Sequence, residues 1–295
     1  MMLDSYSFIP KFTEFINAIN TPQPYWIRVN KLKISEIELI DRLFAKGFVL
    51  KRYKELNAYR IIKMPVKHPG ATFEHSLGYY YVQDLSSMVP PLILNPQPNE
   101  LVLDMAAAPG SKTTQMAELM NNTGTIVAND VSDGRIKALA ANVERLGITN
   151  VQIVKGDATV RKFNIVFDKV LLDAPCTGEG TLRKTPKTKM PTLKDHIRMS
   201  KLQKKLLKNA VLHLKEGGYV VYSTCTFNPL ENEDVVKFGV NELNLEPVEI
   251  NPPVPHTKGV KEWMGHNFED VYEYMVRIYP HMVDTGGMVI ALLKK

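Results

Sequence analysis

The stretch "LVLDMAAAPGSKTT", from Leu101 to Thr114, decides the fold. It reads as a short apolar strand, a turn of small residues and the beginning of a helix. Such a turn lets the backbone approach a ligand closely and directs free N–H groups toward it. The stretch therefore predicts a ligand-binding strand–turn–helix unit.

The same strand–turn–helix rhythm continues to about residue 225. The apolar strands are nearly continuous, which is typical of a parallel sheet covered by helices on both faces. The closing stretch "YMVRIYPHMVDTGGMVIALLKK" predicts two antiparallel strands around a Gly-Gly turn. The fold class expected is α/β, with a Rossmann-like, mostly parallel sheet and a C-terminal antiparallel hairpin.

Before residue 100 the pattern is different. Residues 1–75 predict a small α/β domain, with strands at "YWIRVN" and "AYRIIKM" and a helix that begins after Ser35 and ends at Gly47. Residues 76–99 predict a bridging apolar helix, "SLGYYYVQDLSSMVPPLIL", and a linker. The catalytic domain is expected over residues 100–295.

The composition is that of an ordinary globular protein, with 44% hydrophobic and 23% charged residues. The sequence has no apolar run of membrane-spanning length, and its first residues lack the basic flank and apolar stretch of a signal peptide, so none is expected. Two cysteines in 295 residues make no disulfide framework, so a cytoplasmic location is expected. The seven histidines lack the spacing of metal ligands, and no metal is expected.

The charge distribution favours a polyanionic partner. The formal net charge is +6, and the segment 183–208 alone holds ten Lys and Arg residues against one acid, Asp195. Such a segment is often only a solvated helix face. Its position directly after the first cysteine also suits contacts with nucleic-acid phosphates.

Two phosphate-binding motifs do not fit the glycine loop. A P-loop requires GxxxxGK[ST], but Ser111 precedes Lys112 and the earlier glycine is missing; a dinucleotide fingerprint requires GxGxxG, and only Gly110 is present.

Four acids point to another cofactor. Each falls at or just after the carboxyl end of a predicted strand, where ligands bind in such sheets: Asp104, Asp130, Asp157 and Asp173. Any one of them alone is more simply a helix cap or a turn residue. Together they would repel a pyrophosphate, but they suit a ligand with ribose hydroxyls, an amino group and a cationic sulfur. S-adenosylmethionine has these groups, and Asp130 is expected to accept from the ribose.

The two cysteines also follow predicted strands, Cys176 in "DAPCTGEG" and Cys225 in "YSTCTFNP". Most free cysteines are small buried hydrophobes, and a redox pair is a further alternative that lacks the usual CxxC spacing. Beside a methyl donor, a reactive thiolate has a specific use. By adding to carbon 6 of a pyrimidine, it makes carbon 5 nucleophilic enough to accept a methyl group.

With these motifs the sequence resembles the Nol/Nop/Sun family of RNA cytosine-5 methyltransferases, especially the compact archaeal members that modify tRNA. The resemblance runs from "PYWIRVNKLK" through "DMAAAPGSKTTQ", "LLDAPCTGEGTLRK" and "STCTFNPLENED" to "RIYPHMVDTGG". It implies a seven-stranded methyltransferase sheet.

The resemblance also implies roles for individual residues. Cys225 matches the nucleophile, Cys176 the cysteine that helps release the product, and Asp173 a group that holds the target base. The implied cofactor contacts are Ala106, Ala107, Ala108, Pro109, Gly110, Ser111, Lys112, Asp130, Arg135, Asp157 and Asp173.

The expected function is therefore methylation of tRNA cytosine by S-adenosylmethionine, with ribosomal RNA as the alternative substrate and a monomer as the expected state. The target base must leave its stack, so base flipping is implied. Tyr25, Trp26 and Arg28 are candidates to grip the RNA, or else form a core strand. Two rival interpretations are a DNA cytosine-5 methyltransferase, with its nucleophile in the Pro-Cys motif, and a non-catalytic RNA-binding factor.

Overall fold

The computed structural model describes residues 6–184 and 190–295. The N-terminal unit contains a four-stranded sheet in which every strand pairs antiparallel with its neighbours. Its elements in chain order are α1 (Phe12–Ile19), β1 (Trp26–Val29), α2 (Glu36–Ala45), β2 (Val49–Tyr53), β3 (Ala58–Lys63), α3 (Phe73–Ser76) and β4 (Tyr80–Val82). The strand order is β2-β3-β1-β4.

Local signals explain α2. The Ser35 side chain accepts a hydrogen bond from the backbone N–H of Glu38, which satisfies a free donor at the helix start. Leu39 and Leu43, one turn apart, are buried against the sheet. The predicted helix and the predicted strands at β1 and β3 are confirmed, whereas β2 was not predicted.

The predicted bridging helix over residues 76–94 is wrong. Residues 80–82 instead form β4, which pairs with β1, and only Val89–Leu94 is helical. Gly78 breaks the helix with a φ of +74°, a conformation that favours glycine. A Cβ atom at Gly78 would lie 2.0 Å from the carbonyl oxygen of Arg145, so the backbone crosses here too closely for any side chain.

The second sheet has eight strands and forms the larger domain. Its elements and those around it are α4 (Val89–Leu94), β5 (Leu101–Asp104), α5 (Ser111–Leu119), β6 (Thr125–Asp130), α6 (Asp133–Leu146), β7 (Val151–Lys155), β8 (Phe167–Asp173), α7 (Leu193–Leu212), β9 (Leu214–Thr224), α8 (Glu233–Leu243), β10 (Glu246–Val248), β11 (Glu262–Trp263), β12 (His266–Asn267), β13 (Met275–Ile278), α9 (Pro280–Val283) and β14 (Met288–Lys294). β11 and β12 pair as a separate ribbon.

The strand order is β10-β14-β9-β8-β5-β6-β7, with β13 also paired to β14. The five strands from β9 to β7 are parallel, while β14, β10 and β13 are antiparallel. The predicted α/β class, the mostly parallel sheet and the terminal hairpin are confirmed. The structure has eight strands rather than seven, because β10 and β13 share one edge of β14.

Both faces of this sheet are buried. Along β8, Val170 and Leu172 pack into one hydrophobic cluster, and Leu171 packs into the other. The sheet order reverses between β5 and β8, the first and fourth parallel strands along the chain. Ligands of such sheets bind beyond the carboxyl ends of the strands at this switch point.

The two units are joined by a buried amide. The Nδ2 atom of Asn30 donates to the carbonyl oxygens of Gly78 and Leu146 at 2.8 and 2.9 Å, and Asn30 has no exposed surface. One side chain thus ties the N-terminal sheet to the end of α6.

Trp26 and Arg28 also belong to this joint. Both are 5% exposed; Arg28 forms an ion pair with Glu118 of α5, and Trp26 donates to the Asp284 carbonyl. Of the two alternatives for these residues, the core strand is confirmed and the RNA grip is not, since their polar groups are already bonded inside the protein. Tyr25 remains half-buried beside a surface cleft.

Within the described residues no helix has the length and apolar character to cross a bilayer. Over the same residues, no group of three His, Cys, Asp or Glu side chains is arranged to hold a metal ion.

Candidate active site

The two cysteines lie next to each other at the switch-point rim. Cys225 directly follows β9, Cys176 follows the neighbouring β8, and their sulfur atoms are 3.3 Å apart. Both thiols are free and half-buried. The backbone N–H of Gly180 donates to the Cys225 carbonyl at 2.7 Å, which fixes one cysteine loop against the other. The parallel pairing of β8 with β9 brings together residues 49 positions apart.

An ion pair lies between these cysteines and the glycine loop. The Nζ atom of Lys112, in the first turn of α5, donates to Asp173 Oδ2 at 2.6 Å and to Ser87 Oγ at 2.9 Å. The other oxygen of Asp173 accepts from Ser223 Oγ at 2.8 Å. Asp173 ends β8, so it faces both the loop and the cysteines.

The two thiols differ in acidity. The hydrogen bond from the Cys176 S–H lowers the pKa of Cys225, and the Lys112 ammonium acts in the same direction. The hydrogen bond with Cys225, burial and the Glu231 carboxylate raise the pKa of Cys176 well above its ordinary range. Since a thiolate is the nucleophilic form, the lowered pKa favours Cys225 over Cys176 as a candidate nucleophile.

The loop from Ala106 to Lys112 connects β5 to α5. Its backbone N–H at Ala108 donates to Asp130 Oδ2 at 3.2 Å, and Arg135 donates to the Ala108 carbonyl. The Nη1 atom of Arg135 also lies 3.4 Å from Oδ2 of Asp130. The loop, Asp130 and Arg135 are thus brought together. Gly110, with a φ of +102°, makes the turn into α5.

Two buried acceptors at this rim have no donor among the described residues. They are Oδ1 of Asp104 and Oδ1 of Asn129, at the carboxyl ends of β5 and β6. Burial is the main cause that raises the pKa of Asp104 to about 7, although the Thr113 hydroxyl donates to its other oxygen at 2.7 Å. A buried acceptor without a donor is costly unless a bound molecule supplies one.

Asp157 is exposed two residues beyond β7. Its carboxylate accepts from the backbone and the hydroxyl of Thr159, and these hydrogen bonds lower the pKa of Asp157. It contributes an acid to the outer end of the rim without contacting the cysteines.

Several polar residues of the site were not predicted. Ser223 is opposite Asp173 in the parallel pairing of β8 with β9, and the alignment of these two strand ends could have identified it. Ser87 and Asn129 come from a turn and from the end of β6, and only the folded structure brings them to the rim.

The basic segment 183–208 divides into two kinds of residue. Arg183 is 9% exposed and bonds inward to Thr21 and Asp284, whereas Lys194, Arg198, Lys201 and Lys205 line an outer groove of α7. Residues 185–189 of the predicted segment lie outside the described residues.

Comparisons with known proteins identify relatives of this chain. The sequence profile of the family described as "16S rRNA methyltransferase RsmB/F" matches residues 91–294. The tRNA (cytosine(49)-C(5))-methyltransferase of Pyrococcus abyssi (strain GE5 / Orsay) is 38% identical over 100% of this chain and 95% of its own. The human 28S rRNA (cytosine(4447)-C(5))-methyltransferase is 37% identical over 97% of this chain, which spans only 36% of that protein.

A solved structure also matches this chain over nearly its whole length. The crystal structure of NSun6 from Pyrococcus horikoshii with SFG, an analogue of S-adenosylmethionine, matches with a TM-score of 0.86 at 26% identity. The match covers 99% of this chain and 97% of that one.

Proposed function

Because the chain belongs to the RsmB/F (Nol1/Nop2/Sun) family of RNA cytosine-5 methyltransferases, we propose that it methylates carbon 5 of cytosine in tRNA. One observation carries the proposal: two free thiols, 3.3 Å apart, lie beside the Lys112–Asp173 pair at the switch point of the sheet. This pairing suits a reaction in which one thiol activates the pyrimidine and the other serves release of the product.

We propose S-adenosylmethionine as the methyl donor, held by the loop from Ala106 to Lys112 with Asp130, Arg135, Asp157 and Asp173. The unpaired acceptors of Asp104 and Asn129 support this, since the cofactor carries amino and hydroxyl donors. When bound, the cofactor supplies an electrophilic methyl group for carbon 5 of the activated base.

Cys225 is the proposed nucleophile. Its lowered pKa favours the thiolate, whose sulfur forms a bond to carbon 6 of the cytosine. The ring then becomes an enamine, nucleophilic at carbon 5. A DNA-type enzyme would use the cysteine of the Pro-Cys motif instead, but Cys176 has the less acidic thiol.

Cys176 is assigned to release of the product. In this step the proton of carbon 5 passes to solvent water, the double bond between carbons 5 and 6 forms again, and the carbon–sulfur bond breaks. The electron pair of that bond returns to the Cys225 sulfur as a thiolate. The Cys176 sulfur is 3.3 Å from that of Cys225, so it lies beside the sulfur from which the base must part.

Asp173 is proposed to hold the target base. Each oxygen of a carboxylate can accept two hydrogen bonds, so the bonds from Lys112 and Ser223 leave acceptor sites for the exocyclic amine of cytosine. This contact would favour cytosine over uracil, which has a carbonyl at that position.

The RNA is proposed to contact the N-terminal domain, residues 1–75, and the cationic groove of α7. The groove provides several exposed Lys and Arg side chains for phosphates. We favour tRNA over ribosomal RNA because of the Pyrococcus abyssi relative, which is named a tRNA enzyme. This chain matches 95% of the length of that relative. The ribosomal alternative is supported by longer relatives such as the human protein.

We further propose that the enzyme works as a monomer in the cytoplasm. All the candidate catalytic residues come from one chain, and the chemistry needs both cysteines reduced.

The test incubates the protein with methyl-labelled S-adenosylmethionine and total RNA from cells that lack the gene, and then maps 5-methylcytosine by bisulfite sequencing. We expect label in tRNA at one or a few cytosines and none with Cys225→Ala. Label in ribosomal RNA alone would make ribosomal RNA the substrate instead of tRNA. No label in any RNA would contradict the proposed methyltransferase function.

A further inference from the structure

Two buried carboxylates stand behind the cysteines, and the mechanism above does not use them. Glu179 is 2% exposed and Glu231 has no exposed surface. Each lies a few residues after one of the cysteines, in a short turn of 3₁₀ helix. Buried carboxylates are costly unless they are fully hydrogen-bonded, so their partners indicate what they do.

Glu231 holds both neighbours of Cys176. Its carboxylate lies 3.0 Å from the backbone nitrogen and 2.6 Å from the hydroxyl of Thr177, the next residue. It also accepts from Gln203 Nε2 at 2.9 Å, and the same amide donates to the carbonyl of Pro175 at 3.0 Å. Although Glu231 follows the other cysteine in sequence, it fixes the loop of Cys176.

Glu179, by contrast, fixes the loop of Cys225. It follows Cys176 in sequence, yet its Oε2 accepts from the Thr226 hydroxyl at 2.8 Å and from the Phe227 backbone N–H at 2.9 Å. These are the two residues after Cys225. The hydroxyl of Tyr6 donates to its other oxygen.

His196 lies between the two carboxylates. Its Nδ1 atom is 2.6 Å from Glu231, and its Nε2 atom is 3.6 Å from Glu179. The hydroxyl oxygens of Thr177 and Thr226 are also 2.8 Å apart. The two Cys-Thr dipeptides are therefore fastened to each other as well as to their own carboxylates.

We propose that Glu231 and Glu179 are positioning residues with separate tasks, one for each cysteine, and that His196 keeps the two loops in register. This rests on the proposed function. Glu231 orients Cys176 and thereby serves release of the product, whereas Glu179 orients Cys225 and serves formation of the carbon–sulfur bond. A misplacement of about 1 Å can slow a reaction between positioned groups about 100-fold. Because each carboxylate bonds the residues beside a different cysteine, loss of either carboxylate should slow a different step.

The test compares Glu231→Gln with Glu179→Gln, using tRNA, labelled cofactor and rapid quenching. Covalent protein–RNA adduct is measured on denaturing gels, and free methylated RNA in the same samples. For Glu231→Gln we expect release to slow by about 10-fold or more while adduct forms at nearly the wild-type rate, so adduct accumulates. For Glu179→Gln we expect adduct formation to slow by a similar factor, without accumulation.

Milder variants keep the test decisive if a glutamine destabilises the fold. Thr177→Val removes the hydroxyl that bonds Glu231, and it should slow release of the product as Glu231→Gln does. Thr226→Val should slow adduct formation as Glu179→Gln does. Thr177→Ser keeps a hydroxyl and should release the product at nearly the wild-type rate. The matched control is Glu74→Gln, a carboxylate that is 1% exposed, lies in the N-terminal unit and is paired with Lys46. It should lower stability without changing the ratio of the two rates.

The outcomes separate the two levels of the argument. If wild-type protein methylates RNA but both glutamine variants slow formation and release equally, the inference is overturned and the proposed function stands. If wild-type protein forms neither adduct nor methylcytosine, the proposed function is overturned and the inference with it.

Discussion

The ammonium of Lys112 donates to the carboxylate of Asp173 across 2.6 Å, and this bond joins the small-residue loop to the cysteine end of the sheet. The loop belongs to the proposed cofactor site and Asp173 to the proposed base site. The two charges have opposite effects on the neighbouring thiol, since Lys112 lowers the pKa of Cys225 and Asp173 raises it. The pair thus couples both halves of the site electrostatically.

The two cysteines should fail in different ways. We expect Cys225→Ala to lower methylation by at least about 10³-fold and to form no adduct, because it removes the nucleophile. Cys176→Ala should still form the adduct but release it slowly, so a covalent protein–RNA species should appear on denaturing gels. Activity retained by Cys225→Ala, or adduct seen only in that variant, would reverse the two roles.

The acidity of Cys225 should depend on its neighbour. Because the Cys176 S–H is the largest cause that lowers its pKa, Cys176→Ala should raise that pKa. The rate at which iodoacetamide alkylates Cys225 should therefore reach its plateau at a higher pH in this variant than in wild-type protein. In wild-type protein, which has two thiols, peptide mass mapping distinguishes Cys225 from Cys176. Lys112→Met should produce a smaller shift in the same direction. An unchanged or lower plateau pH in Cys176→Ala would exclude the hydrogen bond as the cause.

Asp104 should make stability depend on pH. Its pKa of about 7 lies above the value of about 3.9 expected in the unfolded chain. The folded protein keeps a proton that the unfolded chain loses between these values, so this contribution to stability is full below about pH 4 and falls as pH rises to about 7.

Asp104→Asn can still accept from Thr113 but cannot ionise. Without cofactor, we expect its melting temperature to equal that of wild-type protein near pH 4 and to exceed it by several degrees near pH 8. Thermal melts at the two pH values check this. A difference that is the same at both would show that the charge of Asp104 is irrelevant to stability.

Gly78 should tolerate no side chain. Its φ of +74° and the 2.0 Å approach of the Arg145 carbonyl mean that Gly78→Ala adds backbone strain and a clash, and we expect a loss of about 3 kcal/mol or more in unfolding free energy. Gly134→Ala in α6 is the control, because nothing lies within 4 Å of its added Cβ and its φ is not positive. Urea titrations should find the control equal to or more stable than wild-type protein.

The outer groove of α7 should affect binding of RNA more than catalysis. Lys201→Glu with Lys205→Glu should raise KM for tRNA about 10-fold and leave kcat at saturating RNA nearly unchanged. The slope of log binding constant against log salt should fall by about 1 for each phosphate that the variant no longer neutralises. Lys258→Glu, at an exposed ion pair with Glu249, is the control. A change in kcat alone would argue against a phosphate-binding groove.

The parallel strands of the larger sheet and its terminal hairpin were predicted from the sequence, because these segments carry their own periodic patterns and turns. By contrast, α8, β10 and the ribbon of β11 and β12 were not predicted. The region of residues 76–94 was predicted wrongly because its apolar residues suit either a helix or a strand. The deciding fact, the carbonyl of Arg145 against Gly78, depends on an approach between residues far apart in the chain.

The candidate site shows the same limit. Cys176 and Cys225 were identified because each follows a recognisable strand, and their family was predicted correctly from the motifs around them. Glu179 and Glu231 were missed, since each bonds to residues beside the cysteine that it does not follow. Arg28 and Arg183 look like RNA ligands in the sequence, but their partners, Glu118 and Asp284, come from distant segments.

The amide of Asn30, shared between the carbonyls of Gly78 and Leu146, has a mechanical consequence. These two hydrogen bonds oppose any change in the distance between the amino-terminal unit and the end of α6. For an RNA bound to that unit as proposed above, bending of the RNA rather than of the protein would bring the cytosine to the thiols.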